Sequence, residues 1–192
     1  MAIKNIVFDF FGVISSEVAP YWFAERFPEE EAKRLKYQYL EPADHGDISR
    51  AELFASLSAL SGEPADKIES DFNRLAVINR DTVDLINRLK SSYRIALLSN
   101  AQGEWLADIL ERENLGDLFE EMVISSKVRL TKPSPEIYNF LLDKMNLIPC
   151  ETVFLDDNPK NVEAARSRGM QAILFTNAKD AEQKLREIGV EI

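Results

Sequence analysis

Residues 4–15 have the sequence KNIVFDFFGVIS, and this stretch decides the fold. Its apolar residues lead to a lone carboxylate, Asp9, and two phenylalanines separate Asp9 from Gly12. A short apolar run that stops at a glycine is typical of a strand buried on both faces. Active-site groups of open α/β sheets collect at the carboxyl edge of such strands. The stretch therefore predicts a buried strand that presents Asp9 at that edge, although a carboxylate there can equally cap a turn.

The composition is that of a globular protein with an acidic excess. The chain has 192 residues, of which 45% are hydrophobic and 29% charged. This length allows one sizeable core, or a core that carries a small insertion. The net charge of −10, from 23 basic and 33 acidic residues, argues against a nucleic-acid partner. An acidic protein that takes an anionic substrate needs a metal ion or a few well-placed cations.

Signals for export and for a membrane partner are missing from the sequence. Asp9 interrupts the first apolar run, so that run does not fit a signal peptide. No apolar segment reaches the length of a membrane span. Cys150 is the single cysteine, which permits no disulfide within the chain and suits a reducing compartment. We therefore expect a cytoplasmic protein with no membrane partner.

Residues 17–80 carry helical signals and no strand-like run. Helical periodicity covers 24–39, where acidic residues precede basic ones in the order that the helix dipole favours. A further helix is expected at 65–75. The block predicts a helical cap domain at 17–80, inserted into an α/β core formed by residues 1–16 and 81–192.

A capping box marks another helix of this insertion. Ser49 is the expected N-cap and Glu52 its reciprocal partner, and Gly62 ends the helix. The only histidine, His45, lies just before this box. We expect His45 and Asp47 in an exposed loop rather than in the chemistry. The apolar stripe of the helix consists of Leu53, Phe54, Leu57 and Leu60.

From residue 81 onward, short apolar runs alternate with amphipathic segments. This alternation predicts right-handed βαβ units and a parallel sheet with helices on both faces. Together with the first strand it makes a Rossmann-like α/β fold of about five strands. The expected strands are 94–98, 122–125, 152–155 and 171–175, and the expected helices are 81–90, 101–113, 134–145, 159–168 and 180–188.

Polar side chains stand at the ends of three strands and in one loop: Asp9, Ser99, Asn100, Lys132, Asp156 and Asp157. The carboxyl ends of parallel strands share one edge, so these groups should converge there. Singly, each has a structural explanation such as helix capping. Two adjacent carboxylates at the end of a buried strand, however, require a nearby cation. Mg²⁺ held by Asp9 and one of the pair meets that need.

These motifs, in this order, resemble the haloacid dehalogenase superfamily of phosphotransferases. The resemblance covers essentially the whole chain. The segments TKPSPEIY and VFLDDNPKNVEAARSRGM are similar to the small sugar-phosphate and flavin-mononucleotide phosphatase branch, which has a helical cap in this position. It implies a Mg²⁺-dependent phosphatase whose substrate is a small phosphate ester.

The resemblance also implies a role for each motif residue. Asp9 would be the nucleophile that forms an aspartyl-phosphate, and Lys132 would neutralise charge on Asp9 and on the transferring phosphoryl group. The phosphate-binding residues would be Ser99, Asn100 and Lys132. The Mg²⁺ ligands would be Asp9, the backbone carbonyl of Phe11, Asp157 and Asp156, the last directly or through a water.

Phe11 is a departure from the family pattern, which has an acid–base aspartate at that position. A general acid–base contributes about 10²–10⁴-fold to the rate. Three interpretations follow, in order of preference. The protein is a phosphatase whose leaving groups need little protonation; it is a dehalogenase that acts on a carbon electrophile; or it binds a phosphorylated ligand without turnover. The paired Asp156 and Asp157 weigh against the dehalogenase.

Overall fold

The computed structural model describes residues 2–192, and a five-stranded parallel sheet is at its centre. The strand order is β3-β2-β1-β4-β5, and every neighbouring pair is parallel. The predicted α/β fold is thus confirmed, with the first strand in the middle of the sheet. The strands are β1 (Asn5–Phe8), β2 (Arg94–Ser99), β3 (Glu121–Ile124), β4 (Thr152–Asp156) and β5 (Gln171–Leu174).

Helices connect the strands and cover both faces of the sheet. Ile6 and Phe8 of β1 pack in a hydrophobic cluster with Ile86, on one face. Val7 faces the other way and packs in a second cluster with Tyr138. This alternation follows from the two-residue period of a strand, and it explains why β1 is apolar at every position after Asn5. The helices are α1 (Ala19–Ala24), α2 (Glu29–His45), α3 (Arg50–Ser61), α4 (Ala65–Leu75), α5 (Arg80–Leu89), α6 (Gly103–Arg112), α7 (Ser125–Val128), α8 (Pro135–Met145), α9 (Pro159–Ser167) and α10 (Ala178–Glu187).

The insertion between β1 and β2 begins differently from the prediction. The helix expected at 24–39 begins later, as α2 at Glu29, because Pro28 adopts an extended conformation and serves as its N-cap. A short helix that was not predicted, α1, precedes it. Helix α2 then continues beyond Tyr39 to His45, through Pro42. Leu40 and Ala43 are buried on its inner side, so packing outweighs the helix-breaking tendency of proline. Among residues 2–192, no helix has the length and apolar character that crossing a bilayer requires.

Other expected elements lie close to their predicted positions. The capping box of α3 is present, with Ser49 accepting from the backbone of Glu52 and Glu52 accepting from the backbone of Ser49. The strand expected at 122–125 ends at Ile124, because the short helix α7 begins at Ser125. A helix of one turn is too short to produce a recognisable apolar period, so the sequence does not predict α7.

The C-terminal end of α2 is locked onto α7. Gly46 closes α2 in a left-handed conformation, with φ of +84°. A Cβ placed there would lie 2.3 Å from the backbone oxygen of Ser126. The hydroxyl of the fully buried Ser125 donates to the backbone oxygen of Asp44 and accepts from the backbone N–H of Ala101. The insertion is therefore held against the carboxyl edge of the sheet at this point.

Gly46→Ala should destabilise the protein more than Gly62→Ala. Both glycines close helices with positive φ, so each substitution loses about 1–2 kcal/mol from the left-handed backbone. A Cβ at Gly62 meets nothing within 4 Å, whereas one at Gly46 meets Ser126. We expect Gly46→Ala to lose at least about 1 kcal/mol more, measured by urea unfolding. Equal losses would contradict the close packing of α2 on α7.

Candidate active site

A cavity of about 330 Å³ lies at the carboxyl edge of the sheet, beneath the insertion. Side chains of the insertion, mainly from α2 and the segment before α1, line it together with the loops that follow β1, β2 and β4 and the loop before α8. Of the site residues predicted from sequence, those that line the cavity are Asp9, Phe11, Asn100, Lys132 and Asp157. Ser99 and Asp156 are fully buried at the ends of β2 and β4, next to lining residues.

A buried lysine joins two of the predicted carboxylates. The Nζ of Lys132 lies 2.8 Å from Oδ1 of Asp9 and 2.7 Å from Oδ2 of Asp156. Its side chain is 1% exposed, and those of Asp9 and Asp156 are 10% and 0% exposed. Burial of this kind is stable only because each charge has an opposite partner at hydrogen-bond distance.

The protonation of this cluster follows from burial and charge. Burial acts to lower the pKa of Lys132, but the charges of Asp156 and Asp9 outweigh it and the pKa is raised. Lys132 therefore stays positively charged. Burial raises the pKa of Asp9 well above its usual value, Lys132 opposes the rise, and Asp156 adds to it. A further cation near Asp9 would favour its ionised form.

Asp156 is committed to hydrogen bonds within the protein. Its Oδ1 accepts from the backbone N–H of Asn158 at 2.8 Å, and both of its oxygens accept from Nδ2 of Asn161, at 3.1 and 3.0 Å. With Lys132 on Oδ2, both oxygens are occupied. This pattern suits a residue that positions Lys132 better than one that directly ligates a metal.

Asn100 positions Lys132 from the backbone side. Its Oδ1 accepts from the backbone N–H of Lys132 at 2.8 Å, and its Nδ2 donates to the backbone oxygen of Lys132 at 2.9 Å. The side chain expected to bind phosphate is thus engaged with the protein. Ser99 differs, since its hydroxyl is buried without a hydrogen-bond partner among the described residues. An unpaired buried hydroxyl is costly, and a phosphate oxygen is the kind of partner that would satisfy it.

Gly12 makes room for Asp157. It has φ of +82°, and a Cβ there would lie 2.3 Å from Oδ2 of Asp157. The absent side chain lets Asp157 approach the loop after β1, where Asp9, Asp156 and Asp157 each bring an oxygen within 4.8 Å of the others. Burial raises the pKa of Asp157 to about 6, and the charges of Glu17 and Asp156 add to the rise.

This donor set fits a hard divalent cation. Carboxylate oxygens are the protein ligands that Mg²⁺ prefers, and it commonly shares them with substrate phosphate. When ionised, the three aspartates carry three negative charges against the one positive charge of Lys132. The described lining as a whole is acidic, with five carboxylates (Asp9, Glu17, Glu41, Asp44 and Asp157) and three lysines (Lys36, Lys132 and Lys160). An anion would enter this cavity only with a cation to offset the lining.

The insertion contributes charged residues to the cavity that the sequence analysis did not predict as site residues. Glu17, Lys36 and Asp44 line the cavity. The loop expected for His45 is wrong, because His45 is the last residue of α2 and is partly buried, whereas Asp47 is exposed as expected. The Nδ1 of His45 lies 3.0 Å from Oδ2 of Asp47, and His45 is not among the residues that line the cavity.

Phe11 forms part of an aromatic wall. Its ring stacks on Trp105, with centroids 5.2 Å apart and planes 8° from parallel, and both rings line the cavity. Phe72 packs edge-on against Trp105 at 5.5 Å. Trp105 is held in turn by Asn73, which accepts from its indole N–H at 2.9 Å. The position that lacks the expected carboxylate is thus occupied by a packed ring.

Comparison with known families agrees with these motifs. The family model described as haloacid dehalogenase-like hydrolase matches residues 3–169. The chain belongs to the haloacid dehalogenase-like hydrolases. The family expected from the motifs is confirmed, and with it the expectation of a hydrolase.

Relatives within and near the family include phosphatases and dehalogenases. D-ribitol-5-phosphate phosphatase of Bacteroides thetaiotaomicron is 30% identical over 202 residues, covering 97% of this chain and 98% of that protein. (S)-2-haloacid dehalogenase 1 of Pseudomonas sp. is 27% identical over 94 residues, 48% of this chain and 41% of that protein. The fold matches the crystal structure of the enzyme bt-2542 from Bacteroides thetaiotaomicron in complex with magnesium and inorganic phosphate. The TM-score is 0.76 at 23% identity, covering 92% of this chain and 96% of that one.

Lys132→Ala should destabilise the protein by about 3–5 kcal/mol, because it leaves Asp9 and Asp156 buried without a cation. Lys160→Ala, at an exposed lysine of the same cavity, should change the free energy of unfolding by less than about 0.5 kcal/mol. Urea unfolding of both variants at neutral pH measures the difference. The loss in Lys132→Ala should shrink at lower pH, where protonation removes the unpaired charges. A loss no larger than that of Lys160→Ala would contradict the buried ion pairs.

Proposed function

We propose that this chain is a Mg²⁺-dependent phosphatase of small phosphorylated metabolites that acts through an aspartyl-phosphate on Asp9. The observation that carries the proposal is the buried Lys132 between Asp9 and Asp156, with Asp157 beside them in one cavity. Phosphoryl transfer depends on positioning and charge neutralisation more than on covalent chemistry by the protein. A fixed cation beside a fixed carboxylate supplies both.

In this proposal Asp9 attacks the phosphorus atom, and the bond from phosphorus to the ester oxygen breaks. The ammonium of Lys132 favours the ionised form of Asp9 and offsets charge on the phosphoryl oxygens. The Ser99 hydroxyl, which has no hydrogen-bond partner within residues 2–192, donates to a phosphoryl oxygen, and the backbone at Asn100 lies beside it. Asn100 and Asp156 hold Lys132 in place. Water then hydrolyses the aspartyl-phosphate and regenerates Asp9.

The metal ligands in this proposal are Asp9, Asp157 and the backbone carbonyl of Phe11, with Asp156 as a supporting group. Bound Mg²⁺ would neutralise phosphoryl oxygens that the acidic lining alone would repel. A cation at this place would also lower the raised pKa values of Asp9 and Asp157. The protein's own part is to hold the three carboxylates within reach of one ion.

Two further observations support a small phosphorylated substrate. The relative that matches almost the full length of the chain is a sugar-alcohol phosphate phosphatase, and a solved structure of similar fold holds magnesium and inorganic phosphate. The cavity, about 330 Å³, is at the lower end of the range for small-molecule sites. We include in the proposal residues 17–80 as a cap that selects the substrate, and a cytoplasmic location.

A dehalogenase is the second candidate, because Phe11 replaces the family's acid–base aspartate and forms an aromatic wall with Trp105. The partial match to a 2-haloacid dehalogenase agrees with this candidate. Asp157 argues against a dehalogenase, because displacement at carbon has no need of a third clustered carboxylate. Gly12 nevertheless leaves room for Asp157 beside Asp9 and Asp156.

Asp9→Asn should reduce the hydrolysis of phosphate esters to background, since an amide is not a competent nucleophile toward phosphorus. Turnover of p-nitrophenyl phosphate and of sugar phosphates, with Mg²⁺ and with EDTA, measures the effect. Asp143→Asn, at an exposed residue of α8, is the matched control and should retain full activity. We expect turnover by the unmodified chain with Mg²⁺ only.

Four outcomes would contradict the proposal. An active Asp9→Asn variant would remove the nucleophile assignment. Full activity in EDTA would remove the metal. Metal-independent chloride release from 2-chloropropionate, without ester hydrolysis, would favour the dehalogenase, and binding of phosphate without any turnover would favour a binding protein.

A further inference from the structure

The cavity contains a carboxyl group that the assigned chemistry leaves without a role. Asp44 lies in the last turn of α2 and lines the same cavity as Asp9. It is partly buried, and it belongs to the insertion, whereas Asp9 follows the central strand β1. Phe11, where an acid–base group would be expected, offers no proton donor.

The surroundings of Asp44 place it near the reacting groups. The charged groups that face it are Lys36 and Glu41 from its own helix, Glu17 from the segment before α1, and Lys132 from the core. Glu17 and Lys132 also act on Asp157. Asp44 and Asp157 thus experience the charges of the same two residues and line the same cavity, and a carboxylate oxygen of Asp157 lies within 4.8 Å of one of Asp9.

The position of Asp44 is fixed by backbone contacts. Its carbonyl oxygen accepts from Ser125, which also accepts from Ala101 at the cavity's edge. Gly46, two residues later, is packed on Ser126. These contacts use no side-chain atom of Asp44, so the carboxyl group itself is available to the cavity.

We propose that Asp44 is the general acid and base of this active site, in place of a residue at position 11. The inference rests on the proposed phosphatase function and deepens it. In the first step, Asp9 bonds to phosphorus, the bond from phosphorus to the ester oxygen breaks, and that oxygen takes the Asp44 proton to leave as an alcohol. In the second step, the Asp44 carboxylate takes a proton from water, and the water oxygen bonds to phosphorus. The bond from phosphorus to Asp9 then breaks, releasing phosphate and the Asp9 carboxylate, and Asp44 is protonated again.

The ionisation of Asp44 agrees with this role. Burial raises its pKa to about 7, Lys36 and Lys132 oppose the rise, and Glu17 and Glu41 add to it. A group that titrates near the working pH can both donate and accept a proton at a useful rate. Glu41, which also lines the cavity, is exposed to solvent.

Asp44→Asn should separate the two steps. With p-nitrophenyl phosphate, whose leaving group needs no acid, the variant should release a burst of p-nitrophenol equal to the enzyme concentration. Steady turnover should then be slower by about 10²–10⁴-fold, because water lacks its base. With an alkyl phosphate, the burst itself should be lost. With Mg²⁺ present, rapid-mixing absorbance measures the burst and steady release of p-nitrophenol, and an assay of released alcohol measures the reaction of the alkyl phosphate.

The dependence of the rate on pH distinguishes an acid–base role of Asp44 from a structural one, because loss of a purely structural residue would not change the pH dependence. In the unmodified chain, steady turnover of p-nitrophenyl phosphate should fall as the pH drops below about 7, as Asp44 becomes protonated. With saturating Mg²⁺, which lowers the pKa values of Asp9 and Asp157, the fall near pH 7 should be absent from Asp44→Asn, and any fall that remains should lie at lower pH. Asp47→Asn, at an exposed residue three positions later, is the matched control and should keep the parent rates and profile.

Asp44→Asn with unchanged turnover numbers, or with a change in KM alone, would overturn the proposal. A burst that appears with Glu17→Gln and not with Asp44→Asn would assign the role to Glu17 and also overturn it. Melting curves of each variant show that it is folded, and Asp44→Glu, which keeps the carboxyl group, should recover part of the rate. Failure of the proposed function is distinct, since the unmodified chain would then hydrolyse no ester at all.

Discussion

The paired contact of Lys132 with Asp9 and Asp156 is the constraint on which the site depends. A buried ammonium is stable here because two carboxylates face it, and each carboxylate is tolerated because the ammonium is there. The parts come from three different segments of the chain: the end of β1, the end of β4 and the loop before α8. Only a parallel sheet with its strands in this order brings them to one edge.

Neighbouring residues hold Lys132 and Asp156 in place and have no separate role in the chemistry. Asn100 clamps the backbone of Lys132, and Asn161 and the backbone of Asn158 occupy Asp156. Gly12 leaves space for Asp157. The result is an acidic, partly desolvated cavity floor, in which, under the proposed function, a divalent cation and a phosphoryl group would compensate each other's charge.

The insertion is fastened to this floor where α2 ends. Ser125 bonds the carbonyl of Asp44 and the backbone of Ala101, so the helix that roofs the cavity and the loop at its edge share one anchor. Charged groups of α2 are thereby held in the cavity that Asp9 also lines. In the proposed mechanism the Asp44 carboxyl of α2 supplies the acid–base group, and an aromatic ring can therefore occupy position 11.

The sheet and the polar groups at its edge could be predicted from the sequence, whereas the contacts between distant side chains could not. The apolar run before Asp9 and the βαβ alternation predict the sheet and the polar groups at its edge. The hydrogen-bond commitments of Asn100 and Asp156 depend on contacts between distant segments, which spacing does not show. The sequence analysis does not single out Asp44, because it ends the predicted helix at Tyr39. A helix continued to Gly46 places Asp44 on the same helical face as Lys36, Tyr37, Leu40 and Glu41.

The most direct test of the account is to trap the covalent intermediate. The chain is mixed with Mg²⁺ and p-nitrophenyl phosphate, quenched in acid during turnover, and digested for peptide mass spectrometry. The account predicts that the peptide containing Asp9 gains the mass of one phosphoryl group, and that none appears when Asp9 is replaced by Asn. Turnover without any phosphorylated Asp9, or with the phosphoryl group on another residue, would contradict it.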